Sequence, residues 1–474
     1  MSEYSLEEIL HPRSIAVVGA SANARGPSFV SPLKQCGFKG DIYPVNPKYE
    51  EVLGLKTYAR VTDIPGPVDY VISSIPAAAV LDLVADCADK GVKCIHLFTA
   101  RFSETGRRKE TELEQEILRQ AQAGGIRLIG PNCLGVYNPK MGIAFHENMP
   151  RESGPVALIS QSGGGVGEIV ETAEPRGLRF SKAISYGNAL DFNECDYLAY
   201  FAQDPETEII LMYIEGLRDP RRFQRVLRDA TAVKPVVILK GGRGSAGTRA
   251  TASHTGSMAG TRTLWDSMVK QGGAISAEDT EEIVDIAVGL CFSPPILGRR
   301  TAVAGGSGGG SVWAADLCEE AGLDVIDLPQ DIRDELKRRG STIWDWLGNP
   351  ADFSIAMGDP TGGMDIMKLM AAHPDFDLLI VFMSAPWGGK KSGDVSIEDH
   401  MKQYHLREVA GKPMIVILQS RPAGPPIGDK QRLAGIMTQL HEYMNKEKWP
   451  VFPSIKRAAN AAAKVIEYYE RKPI

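Results

Sequence analysis

Short apolar runs and longer amphipathic stretches alternate along most of this chain. Between residues 14 and 130, "SIAVVG", "DIYPVN", "DYVISSI", "KCIHLF" and "IRLIG" are near-continuous apolar segments of strand length. Between some of them, "PSFVSPLKQC", "AAAVLDLVADCADK" and "ETELEQEILRQAQA" repeat their apolar residues at helical spacing. Strands that are apolar throughout and separated by helices predict a parallel sheet covered on both faces. The stretch "YNPKMGIAFHENMPRESG" breaks the rhythm and reads as a connector. A second alternating unit runs from "GPVALIS" to about Cys291, and a third follows "FSPPILGRR" from "TAVAGG" to the C-terminus.

The second and third units look like copies of one another. "SQSGGGVGEIVETAEPRGL" and "GGSGGGSVWAADLCEEAGL" share an S-G-G-G turn, a helix length and a G-L ending, and "YGNALDF" returns as "LGNPADF". Such self-similarity predicts duplication of a single fold. The copies diverge further along. "KPVVILK" leads into "GGRGSAGTRATASHTGSMAG", a run of small residues carrying His254, whereas "KPMIVIL" leads into the proline-stiffened "QSRPAGPPIGDK". The expected fold is α/β: an N-terminal Rossmann-like domain over residues 1–138 and two flavodoxin-like parallel-sheet domains over 150–292 and 299–474.

Composition narrows the function classes. At 474 residues the chain is long enough for about three domains, and its formal charge of −6 supplies no basic surface for nucleic acid. No apolar run reaches the ~18 residues needed to span a bilayer, and "MSEYSLEEILHPRS" lacks the apolar core of a secretory signal. The 7 cysteines are scattered without a C-x-x-C pair, which predicts reduced thiols, a cytoplasmic protein and no metal site.

Candidate chemistry concentrates in the second unit. His254 follows a strand at the sheet edge where doubly wound folds bind ligands, on a loop that glycine and other small residues leave free to travel. Arg243 and Arg249 add positive charge suited to a phosphate. "SQSGGG" opens a helix after a strand, so backbone N–H groups around Ser162, Gly163 and Gly164 form an anion cradle. Glu215, directly after "EIILMYI", can fix the tautomer of a nearby imidazole and balance the charge it gains on phosphorylation. A lone loop histidine is ordinarily just solvated; the three parts together describe a phosphoryl carrier.

With "VVGAS", "GFKGDIYPVNPK", "IGPNCLG", "SQSGG", "GNALDF", "YIEG" and "ASHTGSMAG" in this order, the chain resembles the alpha subunit of the nucleoside-diphosphate-forming acyl-CoA synthetases, relatives of succinyl-CoA synthetase. The resemblance covers nearly the whole chain. It implies a reversible reaction of a small carboxylic acid, CoA and ATP to acyl-CoA, ADP and phosphate. That reaction runs through an acyl phosphate and a phosphorylated His254, supported by Glu215. It also implies that Ser162, Gly163 and Gly164 cradle the phosphate and that the first unit binds CoA. Gly19, Ala20 and Ser21, with Gly26 beyond, place amides where a pyrophosphate can sit, and Lys48 offers a cation. By resemblance, Ser74, Thr99 and Ala100 line the CoA groove, while Asn132 and Cys133 approach the thioester end, the cysteine as a packing or substrate-lining group.

Three departures stand out, one of them the connector "GIAFHENMP", which differs from the commoner pattern and suggests an unusual acyl group. Arg101 occupies a position where the family commonly has glycine, which suggests a contact to a second carboxylate on the acid or to CoA, and the third unit has "AGGSGGG" in place of an Asn-containing turn. The three units use up the length and contain no G-x-x-x-x-G-K-[ST] loop. ATP, ADP and Mg2+ are therefore expected on a separate ATP-grasp beta subunit, in a hetero-oligomer. Two other readings remain open: a non-catalytic CoA- or acyl-CoA-binding regulator on the same scaffold, and a nicotinamide-dependent oxidoreductase. The glycine spacing of the first unit and Asn46 and Lys48 after its second strand speak against the latter.

Overall fold

The computed structural model describes residues 5–21, 29–247, 249, 262–383, 397–402, 404, 411–418 and 430–472. They form two compact units, Met1–Glu174 with Leu178–Ile283, and Pro175–Gly177 with Val284–Ile474. The first unit holds two large sheets and the second holds one.

The first sheet comprises β1 (Ser14–Val18), β2 (Asp41–Val45), β5 (Tyr70–Ser73), β6 (Cys94–Leu97) and β7 (Arg127–Ile129), in the order β2-β1-β5-β6-β7. Each hydrogen-bonded pair is parallel. A small antiparallel hairpin, β3 (Glu51–Val52) and β4 (Leu55–Lys56), follows β2. Central strands β1, β5 and β6 are buried at every position, as their uninterrupted apolar runs require. Edge strand β2 is partly exposed and tolerates Pro44, which a central strand would not. The crossover helices Val80–Lys90 and Arg108–Ala123 cover the sheet; the former stops at Gly91, whose φ of 75° places it in the left-handed region favoured at helix ends.

The second sheet contains β8 (Gly135–Tyr137), β9 (Val156–Ser160), β10 (Phe180–Ser185), β11 (Ile209–Ile214), β12 (Val236–Lys240) and β13 (Ile275–Ala277). Its order is β13-β12-β11-β9-β10-β8. The sequence pattern places Tyr137 in a connector and expects a wholly parallel sheet. Instead, Gly135–Tyr137 pairs antiparallel with the outer edge of β10. Three residues are too few to show a period of two, so the pattern carries no sign of this strand. Buried side chains from both sheets, among them Tyr70, Cys94 and Cys133 with Tyr186 and Tyr197, share one apolar cluster.

In the second unit, β14 (Thr301–Gly306), β15 (Ala351–Asp352), β16 (Leu378–Met383), β17 (Met414–Leu418) and β18 (Val451–Phe452) are parallel in the order β15-β14-β16-β17-β18. Aside from β8, this is the strand order of the second sheet, so the copies seen in sequence share one topology. Ser162 and Ser307 each precede a glycine-rich helix, Gly163–Ala173 and Gly308–Glu320. The aspartates of the repeated motif have parted ways. Asp191 binds the Arg127 guanidinium at 2.8 and 3.0 Å, whereas a Cβ at Gly308 would lie 3.1 Å from Asp352 Oδ2. The third copy thus sets its own carboxylate at the helix entrance, whereas in the second the matching aspartate is engaged by Arg127.

Candidate active site

The strand order of the second sheet reverses between β9 and β11, and ligands in such sheets bind beyond the carboxyl ends of the strands at that point. Ser160 pairs in register with Tyr213, so the segments after both strands emerge side by side. Gln161 and Glu215 lie there. The Gln161 side-chain oxygen accepts from the Glu215 N–H at 2.8 Å and the Gly216 N–H at 3.0 Å. On the next strand, Lys240 Nζ donates to the Glu215 carbonyl at 2.7 Å and also to the Gly241 carbonyl. The backbone of Glu215 is therefore held from both sides, by an amide on one strand end and an ammonium on another.

The Glu215 side chain is buried, and its Oε1 accepts from the Tyr213 hydroxyl at 3.3 Å. Burial, reinforced by the Glu215 charge, pushes the Tyr213 phenol up to about 12, so it stays a donor at neutral pH. Burial lowers the Lys240 ammonium, which also lies 5.4 Å over the Trp265 ring. Gln161, Tyr213 and Lys240 are absent from the sequence-based set. An ionisable residue ending the apolar run "PVVILK" is the one sequence signal that could have flagged Lys240.

At the start of helix Gly163–Ala173, the Ser162 hydroxyl accepts from the Gly165 N–H at 3.2 Å. Ser160 Oγ donates to the Ser162 carbonyl at 2.7 Å and accepts from its N–H at 3.2 Å. These bonds fix the entry into the helix. Gly163 and Gly164 are first-turn positions, whose N–H groups have no intrahelical acceptor. A Cβ at Gly163 would lie 3.0 Å from Leu134 Cγ, so this helix entrance lies directly against the turn that follows β7. Arg243, expected near the phosphate, forms an ion pair with Glu278. His254 lies outside the described residues, as does Gly26.

The sequence-predicted CoA residues all follow strands on the carboxyl edge of the first sheet. Gly19, Ala20 and Ser21 come after β1, Lys48 after β2, Ser74 after β5, Thr99, Ala100 and Arg101 after β6, and Asn132 and Cys133 after β7. Gly19 has a φ of 89°, and a Cβ on it would come within 2.8 Å of Ser74 Oγ, which donates to the Val18 carbonyl at 3.1 Å. Asn46 Nδ2 donates to the Ala20 carbonyl at 2.7 Å, and the Ser21 and Tyr49 hydroxyls are 3.4 Å apart. These contacts join the turns after β1 and β2. Lys48 is exposed, and its N–H donates to Asn46 Oδ1 at 3.0 Å. Thr99 Oγ1 donates to the Ile75 carbonyl, and the Asn132 N–H to the Thr99 carbonyl at 3.0 Å.

Cys133 is buried under this turn, with its thiol pushed up by desolvation and Sγ 3.9 Å from the Leu97 carbonyl. Its place is that of a packing residue rather than a nucleophile. Behind it, His96 Nε2 donates to the Cys133 carbonyl at 3.1 Å; burial holds this imidazole down to about 4 and therefore neutral.

The two sheets meet at a polar junction centred on Asn188. Its N–H donates to the Pro131 carbonyl at 3.0 Å, its Nδ2 to Glu104 Oε2 at 2.7 Å, and its carbonyl accepts from Arg218. Asn132 Nδ2 lies 3.4 Å from Asn188 Oδ1. One residue thereby joins the loops after β6, β7, β10 and β11. Three non-glycine residues in these loops have positive φ: Arg101 at 82°, Asn132 at 59° and Ala189 at 55°.

The carboxyl edge of the first sheet, abutting a glycine-rich helix entrance of the second, fits the class of chain found in acid–thiol ligases, and comparison with known proteins agrees. The family model described as a CoA binding domain matches residues 13–139, and the succinyl-CoA ligase like flavodoxin domain matches residues 153–290. The alpha subunit of acetate–CoA ligase [ADP-forming] II from Pyrococcus furiosus is 37% identical, over 80% of this chain and 83% of that one. The acetate–CoA ligase [ADP-forming] of Methanocaldococcus jannaschii is 36% identical over 71% of this chain, which spans about half the length of that relative, 47%. The solved structure of the dinucleotide forming acetyl-coenzyme A synthetase 1 of Ca. Korarchaeum cryptofilum, in complex with phosphate and ADP, is similar to this chain with a TM-score of 0.80. It is 30% identical, covering 98% of this chain and 97% of that one. The chain belongs to the family of ADP-forming acyl-CoA synthetases, in its alpha-type arrangement. No helix among the described residues is long and apolar enough to cross a membrane.

Proposed function

We propose that this chain carries the acyl-transfer half of an ADP-forming acyl-CoA synthetase and passes a phosphoryl group on His254 to a nucleotide held by an ATP-grasp partner subunit. The observation that carries this reading is the meeting of the Ser162–Gly164 helix entrance and the buried Glu215 at one switch point, with the turn that holds Asn132 and Leu134 packed against that entrance. CoA lies along the carboxyl edge of the first sheet, its phosphates near Gly19, Ala20, Ser21 and Lys48 and its pantetheine arm past Ser74, Thr99 and Ala100 toward Asn132. A phosphate in the cradle attacks the thioester carbonyl; the C–S bond breaks, CoA leaves as the thiol and an acyl phosphate remains. An imidazole nitrogen of His254 then attacks phosphorus, and the free carboxylate departs. Glu215 balances the charge gained by the ring. Dividing one reaction into in-line transfers lets positioning and fixed dipoles do most of the catalysis. Mg2+ and ADP belong to the partner, and the reverse sequence makes acyl-CoA.

The names of the relatives weigh against a purely regulatory CoA-binding role, and the CoA-type first domain against nicotinamide chemistry. To test the reading, the chain and its ATP-grasp partner are mixed with ATP, Mg2+, CoA and a panel of acids, while thioester and acid-labile phosphate on the chain are followed. Wild type accumulates both and His254→Ala neither. Full turnover by His254→Ala overturns the carrier role, and CoA binding without any phosphorylation returns the regulatory reading.

A further inference from the structure

Arg101 has a φ of 82° in the loop after β6, a conformation that glycine adopts freely and a long side chain does not. The loop is built to hold it so. The Arg101 N–H donates to Glu104 Oε1 and the Phe102 N–H to Glu104 Oε2 at 3.0 Å, and Asn188 fastens the same carboxylate from the second sheet. Strain kept in place by its surroundings and clustered with that of Asn132 and Ala189 points to a side chain retained for what it contacts. Arg101 is exposed, and among the described residues no carboxylate pairs with its guanidinium. Its position also argues against the CoA phosphates as its target. In the order β2-β1-β5-β6-β7 it follows β6, two strand spacings or about 10 Å from the turn after β1 and one spacing from the Asn132 turn. Arg101 therefore follows the strand next to the Asn132 turn, on the part of the edge assigned to the thioester.

We infer that Arg101 binds a second anionic group on the acyl chain, so that the acid handled here is a dicarboxylate or a similarly anion-bearing acid. A planar guanidinium takes such a group through paired hydrogen bonds that a simple monocarboxylic chain cannot supply. The inference rests on the CoA reading proposed above. Its test is calorimetric titration of the full chain with malonyl-, succinyl- and glutaryl-CoA, each against the monocarboxylic thioester of equal length. In wild type at least one dicarboxylic thioester binds tighter than its counterpart by on the order of 10- to 100-fold. Arg101→Met, which keeps the length and the backbone demand, and Arg101→Gly, which relieves the backbone, both bring that ratio close to one. Equal affinities in wild type, or a preference that Arg101→Met retains, overturn the inference while leaving the CoA reading intact. Equal weakening of both thioesters and of free CoA in Arg101→Met assigns the cation to CoA and overturns it as well. Failure of every thioester to bind overturns the CoA reading itself, and this inference with it.

Discussion

The side-chain oxygen of Gln161 spans two strand ends to receive the backbone N–H of Glu215, at 2.8 Å. Because it also takes the Gly216 N–H, a single neutral amide fixes the direction in which the chain leaves β11. Gln161→Leu leaves two buried donors without this acceptor, at about 1–3 kcal/mol of stability. By the role proposed for Glu215, misplacing it is expected to slow phosphorylation of the chain by on the order of 100-fold. Denaturant titration and the rate of acid-labile phosphate formation measure the two effects. A variant that phosphorylates at the wild-type rate removes the positioning role.

The junction between the first two sheets depends on a close backbone approach. Gly187 has a φ of 56°, and a Cβ there would lie 2.1 Å from the Pro131 carbonyl oxygen. Gly187→Ala is expected to lower stability by about 2 kcal/mol or more, since a backbone atom cannot step aside as a side chain can. A urea midpoint equal to that of wild type contradicts this.

Lys182 is completely buried, with its ammonium 3.0 Å from Asp204 and 2.6 Å from Glu206. Lys182→Met leaves the buried Asp204 carboxylate without its ammonium and removes one of the two that hold Glu206, at about 3–5 kcal/mol. Hydrogen bonds from Lys140 and then Lys182 hold the Glu206 carboxyl down to about 2. A carboxyl depressed on folding stabilises the protein fully above its ordinary value of 4.5, and that contribution disappears as the pH falls toward about 2. Glu206→Gln should flatten this part of the acid limb of a stability-versus-pH curve, and an unaltered slope counts against the pair.

His96 contributes a second pH dependence, at a higher range. Buried and neutral, it is held down to about 4 from an ordinary value of 6.5. The unfolded chain therefore takes up a proton that the folded chain refuses in this interval. Stability is full above 6.5 and declines as the pH drops toward about 4. His96→Gln, which retains a donor for the Cys133 carbonyl, should lack that slope. Imidazole proton resonances give an independent check: titration of His96 near its ordinary value in the folded protein rules the account out.

The topology was the most legible part of the sequence, because fully buried parallel strands write themselves as uninterrupted apolar runs. "SQSGG" and "YIEG" each follow such a run, so Ser162 and Glu215 could be placed at a sheet edge before any coordinates. What stayed hidden depends on which strands are neighbours. Gln161 sits inside a quoted motif, yet its partners are 54 and 55 positions away. The ion-pair partner of Arg243 was hidden too, because Glu278 reaches it only once β12 and β13 lie side by side. The strain at Arg101 was equally out of reach, since φ is set by the loop that Glu104 and Asn188 enforce.

β8 reaches from the chain segment of one sheet to close the border of the next. Cutting the protein where the flavodoxin family match begins, at residue 153, would leave β10 with a bare row of backbone donors and acceptors open to pairing with other molecules. An independently expressed second sheet should therefore start upstream of Gly135 if it is to remain dispersed in solution.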